Sequence, residues 1–190
     1  MNRLNTFAAL LLTATLVGCS DPYKGFDCIK PAGWGLGDDV AALQATRTPK
    51  VLEEDELEDV EPGATIYEYP EQSPMLGDFE IVMTRVCGSK DTMRITDLEF
   101  SIDFAGDPSQ FKKKCKAIRK CYKSLRKQIT KATGVKPVES ATDGQGLPDA
   151  LCSVWTDTRV TPAVTYTLGE NIWGMKYKIV QARPADEARP

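Results

Sequence analysis

An α+β two-layer sandwich, an antiparallel sheet with one long amphipathic helix across it, is the fold class this sequence predicts. Three observations carry it. Leu98, Phe100, Ile102 and Phe104 fall on every second residue, the period of a half-buried strand. Between Asp107 and Gly134, the apolar residues Phe111, Cys115, Ile118, Tyr122, Leu125 and Ile129 step by four, three, four, three and four. That spacing makes one continuous helical stripe. Strand-forming runs linked by short turns lie before and after it, the order that places a helix on one face of an antiparallel sheet.

Each element has its own local reason. Residues 64–69 (ATIYEY) read as a strand, and residues 79–87 (FEIVMTRVC) as a second. GSKD (88–91) is a turn, and residues 93–104 complete a β-hairpin with one buried face. The helix is punctuated by Asp107 as N-cap, Pro108 at its first position and Gln110 as capping-box partner. Gly134 closes it and Pro137 follows. Residues 135–151 are predicted as a loop. Residues 151–155, 163–168 and 172–182 follow as a three-strand meander with turns at 157–159 and 169–171. Residues 183–190 read as a disordered tail, and the packed domain is expected over 63–182.

The N-terminus has a different character. Arg3 precedes an apolar run over residues 7–17, too short to span a bilayer, and small residues end it. Leu16-Val17-Gly18-Cys19 resembles the bacterial lipobox. The resemblance implies that residues 1–18 are a cleaved signal peptide and that Cys19 becomes the first mature residue, bearing diacylglyceryl and palmitate-type chains. Two or more acyl chains anchor a protein stably. Ser20, rather than Asp, after the Cys favours the outer membrane over the inner one in the proteins this resembles. The chain is therefore expected as a lipoprotein of the cell envelope, facing the periplasm.

Between Cys19 and the domain lies residues 19–62, expected as a flexible acidic tether. Its GWGLG (33–37) lacks the phosphate-cradling P-loop pattern. Residues 38–45 are expected as a short helix capped by Asp38. EEDELEDVE follows, with Glu53, Glu54, Asp55, Glu56, Glu58, Asp59 and Glu61 in nine positions, a density of like charge that marks solvated chain.

Composition excludes several functions. The 190 residues contain no histidine, which removes Ser-His-Asp and Cys-His catalysis and His-bearing zinc sites. No metal site, cofactor or catalytic residue is expected. Cys28, Cys87, Cys115, Cys121 and Cys152 remain beside Cys19. In an oxidising envelope they are disulfide candidates, allowing two bonds and one leftover thiol. Cys115 and Cys121 sit six residues apart on one helix, about 9 Å of rise and 240° of rotation, too far to bond each other. Cys121 with Cys152 and Cys28 with Cys87 are the expected pairs. Cys115, on the apolar stripe, is expected as a buried small hydrophobe.

The strongest binding signal is on the helix. Lys112, Lys113, Lys114, Lys116, Arg119, Lys120, Lys123, Arg126, Lys127 and Lys131 fall between Pro108 and Val138 with no acid among them. Pairs such as Lys112–Lys116 and Lys123–Lys127 repel by about 0.2–0.5 kcal/mol each, and the helix N-terminus disfavours cations. A face that tolerates both is expected to meet an anion. The binding residues are taken as Lys112, Lys113, Lys116, Arg119, Lys120, Lys123, Arg126 and Lys127. Three anions fit: the protein's own acidic segment, anionic lipid or lipopolysaccharide, or an acidic protein. Nucleic acid does not fit, because no surface aromatics interleave with the charges.

Trp34, Trp155 and Trp173 read as core or core-edge residues, and Asp97, Glu99 and Asp103 as a solvated strand face. The function expected is non-enzymatic: an envelope-assembly accessory or an immunity or inhibitor protein acting through protein–protein contact. A binder of anionic lipid or lipopolysaccharide through the basic helix is the alternative. A cell-wall hydrolase using paired carboxylates, Glu99 among them, is the remote one.

Overall fold

The computed structural model describes residues 26–31, 33–51, 64–76, 79–89, 92–104, 107–140, 151–171 and 174–182. The expected signal segment and Cys19, the acidic run at 53–61, most of the 135–151 stretch, Trp173 and residues 183–190 lie outside the described residues.

The described elements are α1 (Val40–Gln44), β1 (Lys50–Val51), β2 (Ala64–Leu76), β3 (Phe79–Ser89), β4 (Ile95–Phe104), α2 (Phe111–Thr133), β5 (Val138–Ser140), β6 (Leu151–Asp157), β7 (Val164–Glu170) and β8 (Met175–Gln181). Among the described residues the strands form one antiparallel sheet in the order β1-β2-β3-β4-β8-β7-β6-β5. Two meanders are thus joined where β4 pairs with β8, with Phe100 opposite Tyr177. This is the α+β two-layer arrangement the sequence predicts.

Alternation along each strand fixes which face is packed. Leu98, Phe100 and Ile102 on β4, Met175, Tyr177 and Ile179 on β8, and Tyr166 and Leu168 on β7 are all buried. They share one face with Trp155 on β6, whose indole Nε1 donates to Thr130 Oγ1 of α2 at 3.0 Å. From α2, Ile118, Cys121, Tyr122, Leu125 and Ile129 close on that face. Each fully buried side chain of this size contributes about 1.5–3 kcal/mol. The stripe is shorter than its sequence: Phe111 is 52% exposed and Cys115 only half-buried.

The ends of α2 differ in how well the sequence marks them. Gly134 takes the left-handed conformation at φ 65°, and its N–H donates to Thr130 O. This is the αL stop that only glycine adopts without strain. At the other end Asp107 Oδ1 accepts from Ser109 N, capping a 3-10 turn over Pro108–Gln110, and Gln110 makes no side-chain cap. The predicted capping box therefore does not form. In place of a continuous loop after the helix, Val138–Ser140 pairs with β6 as an edge strand.

The expected tether is corrected over its described part. α2 packs on β6 and β7, which leaves the β2–β4–β8 half of the packed face to be covered by something else. Residues 26–51 cover it. Cys28, Val40 and Leu43 are buried in the core, Trp34 meets Tyr69 edge-on at 6.0 Å, and the Tyr177 hydroxyl donates to the Cys28 carbonyl. Lys50 and Val51 pair with Glu68 and Tyr67. Gly88 permits the closure, since a Cβ there would lie 2.9 Å from Val40 Cγ2. The α1 cap is Asp39, accepting from Ala41 N; Asp38 instead binds Lys30 Nζ and Gly35 N.

Candidate functional site

At 100° per residue, the cations of α2 divide into two sets. Lys114, Arg119 and Arg126 flank the buried stripe and reach acids below: Lys114 Nζ lies 2.8 Å from Asp103 Oδ1, Arg119 Nε 2.5 Å from Glu170 Oε1, and Arg126 Nη2 2.6 Å from Glu139 Oε1. Lys112, Lys113, Lys116, Lys120, Lys123, Lys127 and Lys131 instead fall within an arc of about 100° opposite the stripe. All seven are exposed, and among the described residues none forms a close ion pair, although Lys123 acts on Glu170 at longer range. From Lys112 to Lys131 this strip is about 28 Å long, at 1.5 Å per residue. Arg119 and Arg126, expected on the binding face, belong to the anchoring set.

The anchoring side is a connected polar network. Arg126 Nε donates to Glu139 Oε1 at 2.8 Å, and Ser153 Oγ donates to Glu139 Oε2 at 2.7 Å. With its proton committed there, Ser153 Oγ accepts from the Tyr122 hydroxyl at 2.6 Å. Burial pushes the Tyr122 phenol up to about 12. Glu170 is buried as well, and loss of water raises its carboxyl above the usual range despite Arg119 and Lys123 nearby. These acids, spread over β5 and β7, hold α2 so that its lysine strip faces outward.

Among the described residues no helix packs on the sheet's other face. Across it one register row runs Glu68, Arg85, Glu99, Lys178 and Thr167. Arg85 Nη2 lies 2.6 Å from Glu68 Oε1, and Lys178 Nζ 2.8 Å from Glu99 Oε2. Glu99 is only 7% exposed, so it is not the solvated acid expected of this face. Burial opposes its charge, but Lys178, Lys176 and Arg85 outweigh that and hold its carboxyl below the usual range. Asp97 is half-buried, and desolvation raises its carboxyl. Asp103 is paired with Lys114. Glu99 and Asp103 line a groove of this face, each paired with a lysine, and Asp97 stands outside it. A groove of about 380 Å³ crosses this face, bordered by Val82, Ser101, Thr167, Gly169, Lys176 and Lys178 among others. Sequence reading missed the groove, because it exists only where five strands lie side by side.

The disulfide expectation is corrected by the pleat. No disulfide joins Cys28, Cys87, Cys115, Cys121 or Cys152. Ser153 and Trp155 point at α2, so Cys152, the residue before Ser153 on β6, points to the open face, while Cys121 sits on the core side of α2. Cys28 likewise packs on the helix side with Tyr177, whereas Cys87 alternates out beside Asp97. Each expected pair is separated by the sheet itself.

Among the described residues no helix is long and apolar enough to cross a membrane, and no three potential metal ligands cluster. Compared with protein-family models, curated proteins and solved structures, the chain matches none.

Proposed function

We propose that the protein is a lipid-anchored, periplasm-facing lipoprotein of the bacterial envelope that acts by binding, held through Cys19 and laid against anionic phospholipid headgroups by α2. The observation that carries this reading is the segregation on α2: three cations are consumed by acids of the sheet, and seven lysines share one outward arc. Lysine is depleted from protein–protein interfaces, where arginine and aromatics anchor binding, and here both arginines of the helix are engaged inward. A strip of lysines on flexible stems suits a broad, deformable anionic surface. The apolar stripe of α2 is spent on the sheet, so the helix lies on the membrane rather than in it. Attraction of this kind is electrostatic and weakens with salt.

The test is co-sedimentation of the full chain carrying Cys19→Ala with phosphatidylglycerol-containing vesicles and with phosphatidylcholine vesicles. A companion variant adds Lys116→Glu, Lys120→Glu, Lys123→Glu and Lys127→Glu. At about 1 kcal/mol per lysine, the companion is expected to bind anionic vesicles on the order of a thousandfold more weakly. Equal binding by the two variants, equal binding to both lipids, or retention in 1 M salt overturns the reading. A stoichiometric envelope protein captured through the same lysines in preference to vesicles overturns it in favour of a protein partner.

A further inference from the structure

The chain has no histidine, so no side chain has its ordinary value between pH 5 and 8. A change of charge in that window is left to carboxyls that their surroundings raise. Among the described residues burial raises Asp97 and Glu170. Asp97 lies on the open face, where Thr96 Oγ1 donates to it and Cys87 stands beside it. Glu170 ends β7 on the other face, beneath α2, and is 3% exposed. It is therefore the acid through which protons act on the helix.

Glu170 is weakly held in its charged form. From α2, Arg119 Nε lies 2.5 Å from Oε1 and Lys123 acts at longer range. Across the ladder β6 presents Leu151 and β8 presents Met175, neither of which titrates. The Arg119 contact is close but poorly aligned: among the described residues the buried Oε1 receives no hydrogen bond. Glu99 shows the contrast. It is almost as deeply buried, yet Lys178 and Lys176 hold it ionised from two sides. One misaligned cation does not offset the loss of water at Glu170. The groove that Glu170 borders gives a proton access to it.

Arg119 is placed to change sides. At 100° per residue it falls about 20° outside the lysine arc, between Lys116 one turn before it and Lys123 one turn after. Its side chain is 50% exposed although its Nε is held at Glu170. Once Glu170 is neutral, no charge holds the guanidinium down, and lipid phosphate is the stronger partner. Resting on the reading of α2 as the lipid-facing surface, we infer that Glu170 is a proton-operated latch: on taking up a proton it releases Arg119, which joins Lys116 and Lys123 as a further cation of that surface. The helix stays seated throughout. A carboxyl whose folded value lies above its usual 4.5 stabilises the fold most below pH 4.5, and less as pH rises through the folded value. Acid therefore frees the arginine without loosening α2.

The experiment makes two measurements on the full chain with Cys19→Ala. Co-sedimentation with phosphatidylglycerol-containing vesicles is run at pH 7.0 and pH 5.0 in the same salt, a range over which the lipid phosphate stays ionised. One added surface arginine is expected to tighten binding by up to about fivefold at the lower pH. Glu170→Gln should bind at pH 7.0 as tightly as the parent does at pH 5.0, with no pH response. Arg119→Gln should lose the response too, at the weaker affinity. Without vesicles, carbon and nitrogen NMR follow the Glu170 carboxyl and Arg119 Nε, which are expected to shift together with one midpoint above 4.5. An Arg119 Nε that ignores the Glu170 titration, a Glu170 midpoint at or below 4.5, or an equal pH response in folded Glu170→Gln overturns the latch. So does parent binding that is equally tight at both pH values. If the parent binds no vesicles at either pH while the two resonances titrate together, the membrane reading fails and the release of Arg119 stands.

Discussion

Ser153→Ala breaks the relay that ties α2 to the sheet edge, and its cost follows from which atom is left alone. In the native network the Tyr122 hydroxyl donates to Ser153 Oγ, which passes its own proton to Glu139 Oε2. Tyr122 is 2% exposed and Ser153 fully buried, so alanine at 153 strands the phenol without a partner. A stranded buried hydroxyl costs about 1–3 kcal/mol, whereas Glu139, at the exposed edge, keeps Arg126 and loses little. The expected loss is about 2 kcal/mol, or roughly 4–8 °C in Tm for a chain of this length. Tyr122→Phe removes the hydroxyl but leaves Ser153 on Glu139, at about 1 kcal/mol. The double variant strands nothing and should cost less than the two singles together, with a coupling of about 1 kcal/mol or more. Urea unfolding followed by circular dichroism, run on all four proteins, measures the cycle. Additive losses, or a Ser153→Ala cost no larger than that of Tyr122→Phe, would refute the relay.

Leu43→Ala should destabilise by about 2–5 kcal/mol, because Leu43 is 4% exposed and packed in the core. A tether residue would give less than about 0.5 kcal/mol by the same urea measurement. Stability should also fall at alkaline pH, since burial raises Cys28 and Cys87 from 9.0 to about 11, and Tyr69 and Tyr122 from 10.0 to about 12. The folded chain holds these protons more tightly than the unfolded one, so their stabilisation is complete below pH 9 and is lost from there to about 12; a flat urea midpoint from pH 8 to 12 would contradict this.

Much of the fold was legible because local rules and tertiary needs agree in β4 and α2. The period-2 run at Leu98–Phe104 and the stripe from Ile118 to Ile129 each bury the face that their spacing predicts. Gly134 stops the helix where its sequence says. The lysine strip was legible too, although Arg119 and Arg126 were misassigned. Spacing alone does not tell a cation that faces water from one that leans 40° toward an acid on another element. Residues 26–51 escaped because their apolar members, Phe26, Cys28, Trp34, Leu36, Val40 and Leu43, follow no single period. They fill a vacancy left by α2, and a vacancy has no sequence signature.

By itself the sequence determined the alternation of the strands, the stop of α2, the lipobox-like junction and the confinement of ten cations to one helix, all of which depend on residues near one another in the chain. The tertiary structure alone decided which cations of α2 form no close ion pair, that Cys28 and Cys87, like Cys121 and Cys152, stand on opposite faces of the sheet, and that Glu170 lies buried beneath Arg119. Those facts depend on distance across strands. Ladder pairing brings Glu99 beside Lys178, 79 positions further along the chain, and no local pattern records that meeting.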